Sequence, residues 1–126
     1  MVINKALLST TVLATTMIIV ARPTVQATVY ITNHLTKKIL IVHCRSKDDD
    51  LGVHAVAVGA TIHWSFGQNL FGGTLFWCKL AVEDKRIIFV AYDQGVDDVK
   101  GDWYVRDEGV YGIHNLTFLR AAWTRP

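Results

Sequence analysis

From Thr28 onward the chain alternates apolar and polar residues in short segments rich in Val, Ile, Thr and aromatics, broken by Gly, Asn and Asp. A period of two marks a strand with one buried face, and no stretch carries the 3.6-residue period of a long helix. The pattern predicts strands over residues 28–33, 39–45, 54–58, 61–66, 74–80, 86–92, 103–106, 110–113 and 116–120. Turn chemistry sits between them: Val58-Gly59-Ala60, Gly72-Gly73, Glu83-Asp84-Lys85 and Glu108-Gly109. Parallel pairing needs a crossover, usually helical, and no helix is predicted here. The expected fold class is therefore all-β, an antiparallel β-sandwich of two packed sheets with about eight strands.

Residues 1–27 break the alternation. Lys5 precedes an apolar run over 6–20, then come Arg22 and Pro23, then Val25-Gln26-Ala27 with small residues at cleavage spacing. This is the pattern of a secretory signal peptide cut after Ala27. The run is shorter than the ~20 apolar residues that span a bilayer and is diluted by Ser and Thr, which disfavours a signal anchor. The expected organisation is a leader over 1–27 and one domain over 28–126, secreted and extracellular. Part of the 51% hydrophobic content thus belongs to the leader.

Charge changes the picture next. The whole chain holds 13 Lys and Arg against 11 Asp and Glu; the leader takes Lys5 and Arg22 and no acid, so the mature chain is formally neutral. It has no basic excess to hold nucleic acid or an anionic membrane, and no stable membrane insertion is expected. Two cysteines, Cys44 and Cys78, on an oxidising route read as one disulfide.

The densest candidate chemistry is HCRSKDDDLGVH, residues 43–54. Alternation over 39–45 sends Leu40, Val42 and Cys44 to one face and Ile41, His43 and Arg45 to the other, so His43 and Cys44 diverge and cannot share a metal. Asp48, Asp49 and Asp50 lack the alternating donors and the twelfth-position acid of a calcium loop, and read as a solvated turn. His34, His43, His54, His63 and His114 show no paired metal spacing. Ser65 lies in a predicted strand and no G-x-S-x-G elbow occurs, so no catalytic residue, cofactor or metal site is assigned. Trp64, Phe66, Phe71, Phe76, Trp77, Phe89, Trp103 and Tyr104 read as core volume, with Phe76 and Cys78 on one face of their strand and Trp77 on the other. Asn115-Leu116-Thr117 is a glycosylation sequon.

Taken in order, HCRSKDDDLGVH, WSFGQNLFGGTLFWC over 64–78 and DWYVRDEGVYG over 102–112 resemble the plant self-incompatibility S1 family, the S-protein homologues. The resemblance implies a small secreted plant β-sandwich whose founding members are stigma ligands recognised by a pollen receptor. It makes Cys44 and Cys78 the family's first cysteine pair. The second pair usual before the DW segment is missing, since residues 92–102 hold no cysteine. The expected function is a ligand presenting polar loops to a cell-surface protein receptor, with no enzymatic activity. The candidate contact residues are Arg45, Lys47, Asp48, Asp49 and Asp50 in one loop, Glu83, Asp84 and Lys85 in a second, and Asp93, Asp97, Asp98 and Lys100 in a third. The rival expectations are a secreted hydrolase, using the aspartates with His43 or His54, and a membrane-active defence effector.

Overall fold

The computed structural model describes residues 2–4, 26–68, 72–96, 101–113 and 115–125; side chains of residues 2–4 and 115–118 are not among those described. Its strands are β1 (Val2–Asn4), β2 (Gln26–Asn33), β3 (Leu40–Arg45), β4 (Asp50–Val56), β5 (Thr61–Gly67), β6 (Leu75–Val82), β7 (Lys85–Asp93), β8 (Asp102–Arg106), β9 (Gly109–Gly112) and β10 (Asn115–Ala122). From Gln26 onward nine strands make two packed sheets, in the orders β5-β2-β8-β9-β10 and β4-β3-β6-β7, and β1 adds a short edge strand beside β5. The expected all-β sandwich is what forms, and each predicted segment is a strand.

Two pairings go beyond the antiparallel expectation: β2 runs parallel to β8, and β1 parallel to β5. The β2 to β8 connection needs no helix because the chain crosses to the other sheet for β3 and β4, returns as β5, and crosses again for β6 and β7. The second sheet itself supplies the crossover. Of the expected leader, residues 5–25 lie outside the described residues, while Gln26 and Ala27 pair with Gly67 and Phe66. A cut after Ala27 would leave β2 beginning at the Thr28 to Ser65 pair.

The core lies between the sheets, because alternation turns one face of each inward. In β3 the inward residues are Leu40, Val42 and Cys44, and in β6 they are Phe76, Cys78, Leu80 and Val82. Aromatic rings bridge the layers: Phe66 packs on Phe76 and Tyr92 at 4.6 and 4.8 Å, and Phe89 meets Trp103 edge-on at 5.2 Å. Such pairs contribute about 0.5–1.5 kcal/mol each beyond their burial. Trp103 also donates its indole N–H across the sandwich to the Ala91 carbonyl at 2.8 Å. Of the aromatics read as core, Trp64, Phe66, Phe76, Phe89 and Trp103 are buried. Trp77 and Tyr104 instead sit half-buried on outward faces, as strand alternation requires, and Phe71 lies outside the described residues.

Cys44 and Cys78 are joined in a disulfide between directly opposed residues of β3 and β6, with Cα atoms 4.0 Å apart. Both are buried. The bridge ties the two central strands of the four-stranded sheet.

Candidate functional site

The register of β6 sorts the candidate loops. Arg45 lies opposite Trp77 and Asp93 opposite Leu75, near the start of β6, whereas Lys85 lies opposite Val82 at its end. Leu75–Val82 is 8 residues, about 25 Å at strand rise. The candidate contact loops therefore divide: Arg45 to Asp50 and Asp93 share one end of the sandwich, and Glu83, Asp84 and Lys85 occupy the opposite end. Asp97, Asp98, Lys100 and His114 fall outside the described residues.

At the first end, residues 46–49 form a turn that closes on itself. The Ser46 amide donates to the Asp49 carbonyl at 2.8 Å, and the Asp49 amide donates to the Ser46 hydroxyl at 3.2 Å. Lys47 and Asp48 project from this turn, exposed and without a partner among the described residues. Asp50 behaves differently from the solvated turn residue expected. It opens β4 opposite Arg45, across an irregularity in register that contains Gly52 at φ 81°. The left-handed conformation at Gly52 is one a glycine adopts without strain. It aims the Asp50 carboxylate at two donors, the Gly52 amide at 2.9 Å and the His43 Nε2 at 2.7 Å. These bonds, the amide's first and the imidazole's second, hold the Asp50 carboxyl below its ordinary pKa.

His43 and Cys44 diverge as expected, His43 outward and Cys44 into the core. His43 and Asp50 do meet, which no local spacing announces. The pair sits beside Val53 and Lys79, the register neighbours of His43. It orders the β3–β4 hairpin. His54 turns to the Leu51 carbonyl at 2.7 Å. Among the described residues no group of three or more His, Cys, Asp or Glu gathers as a metal cage.

The turn walls an open cleft of about 420 Å³, whose other side is Phe66, Gly67 and residues 73–77, including Trp77. Arg45 lies over the Trp77 ring at 5.8 Å, so a cation and an aromatic surface are adjacent at the rim. Asp93 accepts the Gly95 amide at 3.1 Å and shapes its own turn. The opposite end is closed on itself at its acids. Glu83 takes the Lys38 ammonium at 2.6 Å and Asp84 lies 3.9 Å from Arg125. Asp107, bonded by the Thr36 hydroxyl and amide, has its carboxyl held below the ordinary pKa by those bonds, the hydroxyl's foremost. A second cleft of about 410 Å³ there is lined by Leu35, Lys37, Lys85 and Trp123 among others.

Sequence reasoning also missed Asn33, the buried polar residue at the end of β2. Its amide donates to the Lys38 and Val56 carbonyls at 2.9 Å each, and its oxygen accepts the Leu35 amide at 2.8 Å. An asparagine at the end of an alternating segment reads as a turn residue, and only long-range pairing shows it to be a clamp.

The chain is thus a disulfide-tied β-sandwich with a charged turn and an open cleft at one end. The comparisons place it further. The family model for plant self-incompatibility protein S1 matches residues 28–122. S-protein homolog 21 of Arabidopsis thaliana is 34% identical over 96 residues, covering 68% of this chain and 72% of that protein. S-protein homolog 5 of the same plant is 37% identical over 86 residues (64% and 66%), and S-protein homolog 2 is 36% identical over 96 residues (69% and 60%). The chain spans less than two thirds of the length of the last two. No solved structure gives a match. The chain belongs to the plant self-incompatibility protein S1 family.

Proposed function

We propose that this chain is a secreted ligand that engages a cell-surface protein receptor through the end of the sandwich carrying the turn at residues 46–49, without chemistry of its own. The observation that carries the reading is that Lys47 and Asp48 stand exposed and unpartnered among the described residues, on a turn closed by its own bonds beside an open cleft. The turn's backbone is already fixed by these bonds, so binding need order only the Lys47 and Asp48 side chains and not the loop that carries them. Glu83 and Asp84, by contrast, are already engaged within the fold.

Membership of the plant self-incompatibility protein S1 family supports a recognition role. Export follows from residues 1–27 acting as a leader cut after Ala27, and no described helix is long and apolar enough to cross a membrane. Asn115, first residue of β10, is the proposed glycosylation position. The test is a transplant: residues 45–50 are replaced by the corresponding loop of S-protein homolog 21, and receptor binding and cell response are measured on living cells. Altered binding with an unchanged melting temperature supports the reading; unchanged binding and response refutes it.

A further inference from the structure

In the four-stranded sheet every second residue points away from the core, and the register aligns these residues in rows across β4, β3, β6 and β7. The central row reads Val53, His43, Lys79, Ile88. The row toward the 46–49 turn sets Arg45 beside Trp77, and the row on the other side sets Ala81 beside Arg86. Val53 and Ile88 are 64% and 69% exposed, high for aliphatic residues in the middle of strands. The outer face of the other sheet differs in kind. There Thr28 bonds Ser65 at 2.9 Å, Thr32 bonds Thr61 at 2.8 Å, and Tyr30 packs on His63. That face is mostly bonded within itself, and its exposed large apolar residues, Tyr30 and Leu119 at 40% and 38%, are less exposed than Val53 and Ile88 on the four-stranded sheet.

Charge decides what fits on it. The three rows carry the cations Arg45, Lys79 and Arg86 and one carboxylate, Asp50, which His43 and Gly52 already occupy. Lys79 is exposed with no partner among the described residues. A second copy applied to this face would oppose cations to cations across a desolvated contact. A lipid surface is a poor match as well, because the sheet face has no helix to bury among acyl chains and the turn projecting at its edge carries the charged Lys47 and Asp48. An acidic protein surface with an apolar centre meets both the charge and the exposed aliphatic and indole groups. The face measures about 14 Å across the strands and about 14 Å along them, roughly a quarter of the ~800 Å² each partner buries in a standard contact, and the 46–49 turn extends it at one edge.

We propose that the outer face of the four-stranded sheet is the docking surface for such an acidic protein partner. The inference rests on the receptor-ligand reading above and gives the partner its chemistry. Arg45 and Lys79 steer and orient it, while Val53, Trp77 and Ile88 form the dry centre.

The test uses the mature chain, fluorescently labelled, titrated onto protoplasts from the source plant with and without trypsin pretreatment. Phosphatidylcholine vesicles containing 25% phosphatidylserine, and sedimentation of the chain alone, run in parallel. The expected result is saturable, trypsin-sensitive binding that weakens several-fold as salt rises and at least ten-fold in Lys79→Glu and in Ile88→Asp, while Lys79→Arg binds as the wild type does. Both positions are exposed, and unchanged circular dichroism certifies the fold. Trypsin-sensitive binding that survives Lys79→Glu and Ile88→Asp but is lost on exchanging residues 45–50 overturns the docking face and leaves the ligand reading standing. Equal binding to the vesicles, or a dimer abolished by Ile88→Asp, overturns it in favour of lipid or a second copy. Absence of any trypsin-sensitive binding overturns both readings.

Discussion

Replacing Asn33 by alanine should cost more than any other exchange of one polar side chain among the described residues. Asn33 is buried, and three backbone groups depend on its side chain: the Lys38 and Val56 carbonyls and the Leu35 amide. A buried group left unpaired costs about 1–3 kcal/mol, and the Leu35 amide, with its single proton, has no second bond to fall back on. The two carbonyls each keep a lone pair for other partners, so their share falls at the low end. The expected loss is about 3–5 kcal/mol from a total of about 5–15 kcal/mol for a domain this size. Urea unfolding followed by tryptophan fluorescence reads it, with melting lowered by at least about 12 °C. Asn33→Asp serves as the control. It keeps the oxygen that accepts Leu35 but sets a carboxylate against two carbonyls, which raises its folded pKa. A raised pKa gives stability that is present at low pH and lost as pH rises, so the deficit of Asn33→Asp should shrink on acidification while that of Asn33→Ala does not. A loss below about 1 kcal/mol for Asn33→Ala, or parallel pH profiles for the two variants, would refute the clamp.

Three further outcomes follow from the same geometry. Cys44→Ala with Cys78→Ala should lower stability by roughly 3–4 kcal/mol on closure of a 34-residue separation, and reduction of the wild type should give the same melting temperature as the double variant. Gly109→Ala should cost more than about 2 kcal/mol, because its Cβ would lie 2.1 Å from the Ala121 carbonyl oxygen; loss of amide protection confined to β9 and β10 would identify the cause. Asp50 and Asp107 have folded pKa values below the ordinary one, so their contribution is present above the unfolded carboxylate pKa and lost as pH falls through the folded values. Melting temperatures of wild type and of Asp50→Asn with Asp107→Asn should therefore differ at about pH 5 and draw together as pH falls below the ordinary carboxylate range; a gap that does not narrow on acidification contradicts the assignment.

Strand positions were legible because burial of one sheet face forces a period of two, and nine segments from Thr28 onward carry it. The start of β4 was not. The bulge containing Gly52 shifts the alternation, so Asp50 reads as loop although it pairs with Arg45. Parallel pairing of β2 with β8 was equally hidden, since alternation is the same in either direction and the crossover is a whole sheet. The division of the candidate loops between two ends depends on long-range register along β6, which local composition does not encode. His43 and Asp50 illustrate the consequence: seven residues apart, they meet only because the hairpin turns back between them. The family resemblance reached ancestry and fold, while the outward row through Lys79 became visible only from the paired strands.

The most direct test of the ligand account compares the two ends of the sandwich in one binding assay. Lys47→Glu with Asp48→Lys alters the end beside the open cleft, and Lys38→Glu with Glu83→Lys, which reverses an exposed ion pair, alters the opposite end; both exchanges leave the net charge unchanged. Dissociation constants for trypsin-sensitive sites on protoplasts are measured for both variants. The account predicts at least a ten-fold weakening for the first variant and wild-type affinity for the second. Wild-type affinity for the first variant with loss in the second would contradict it.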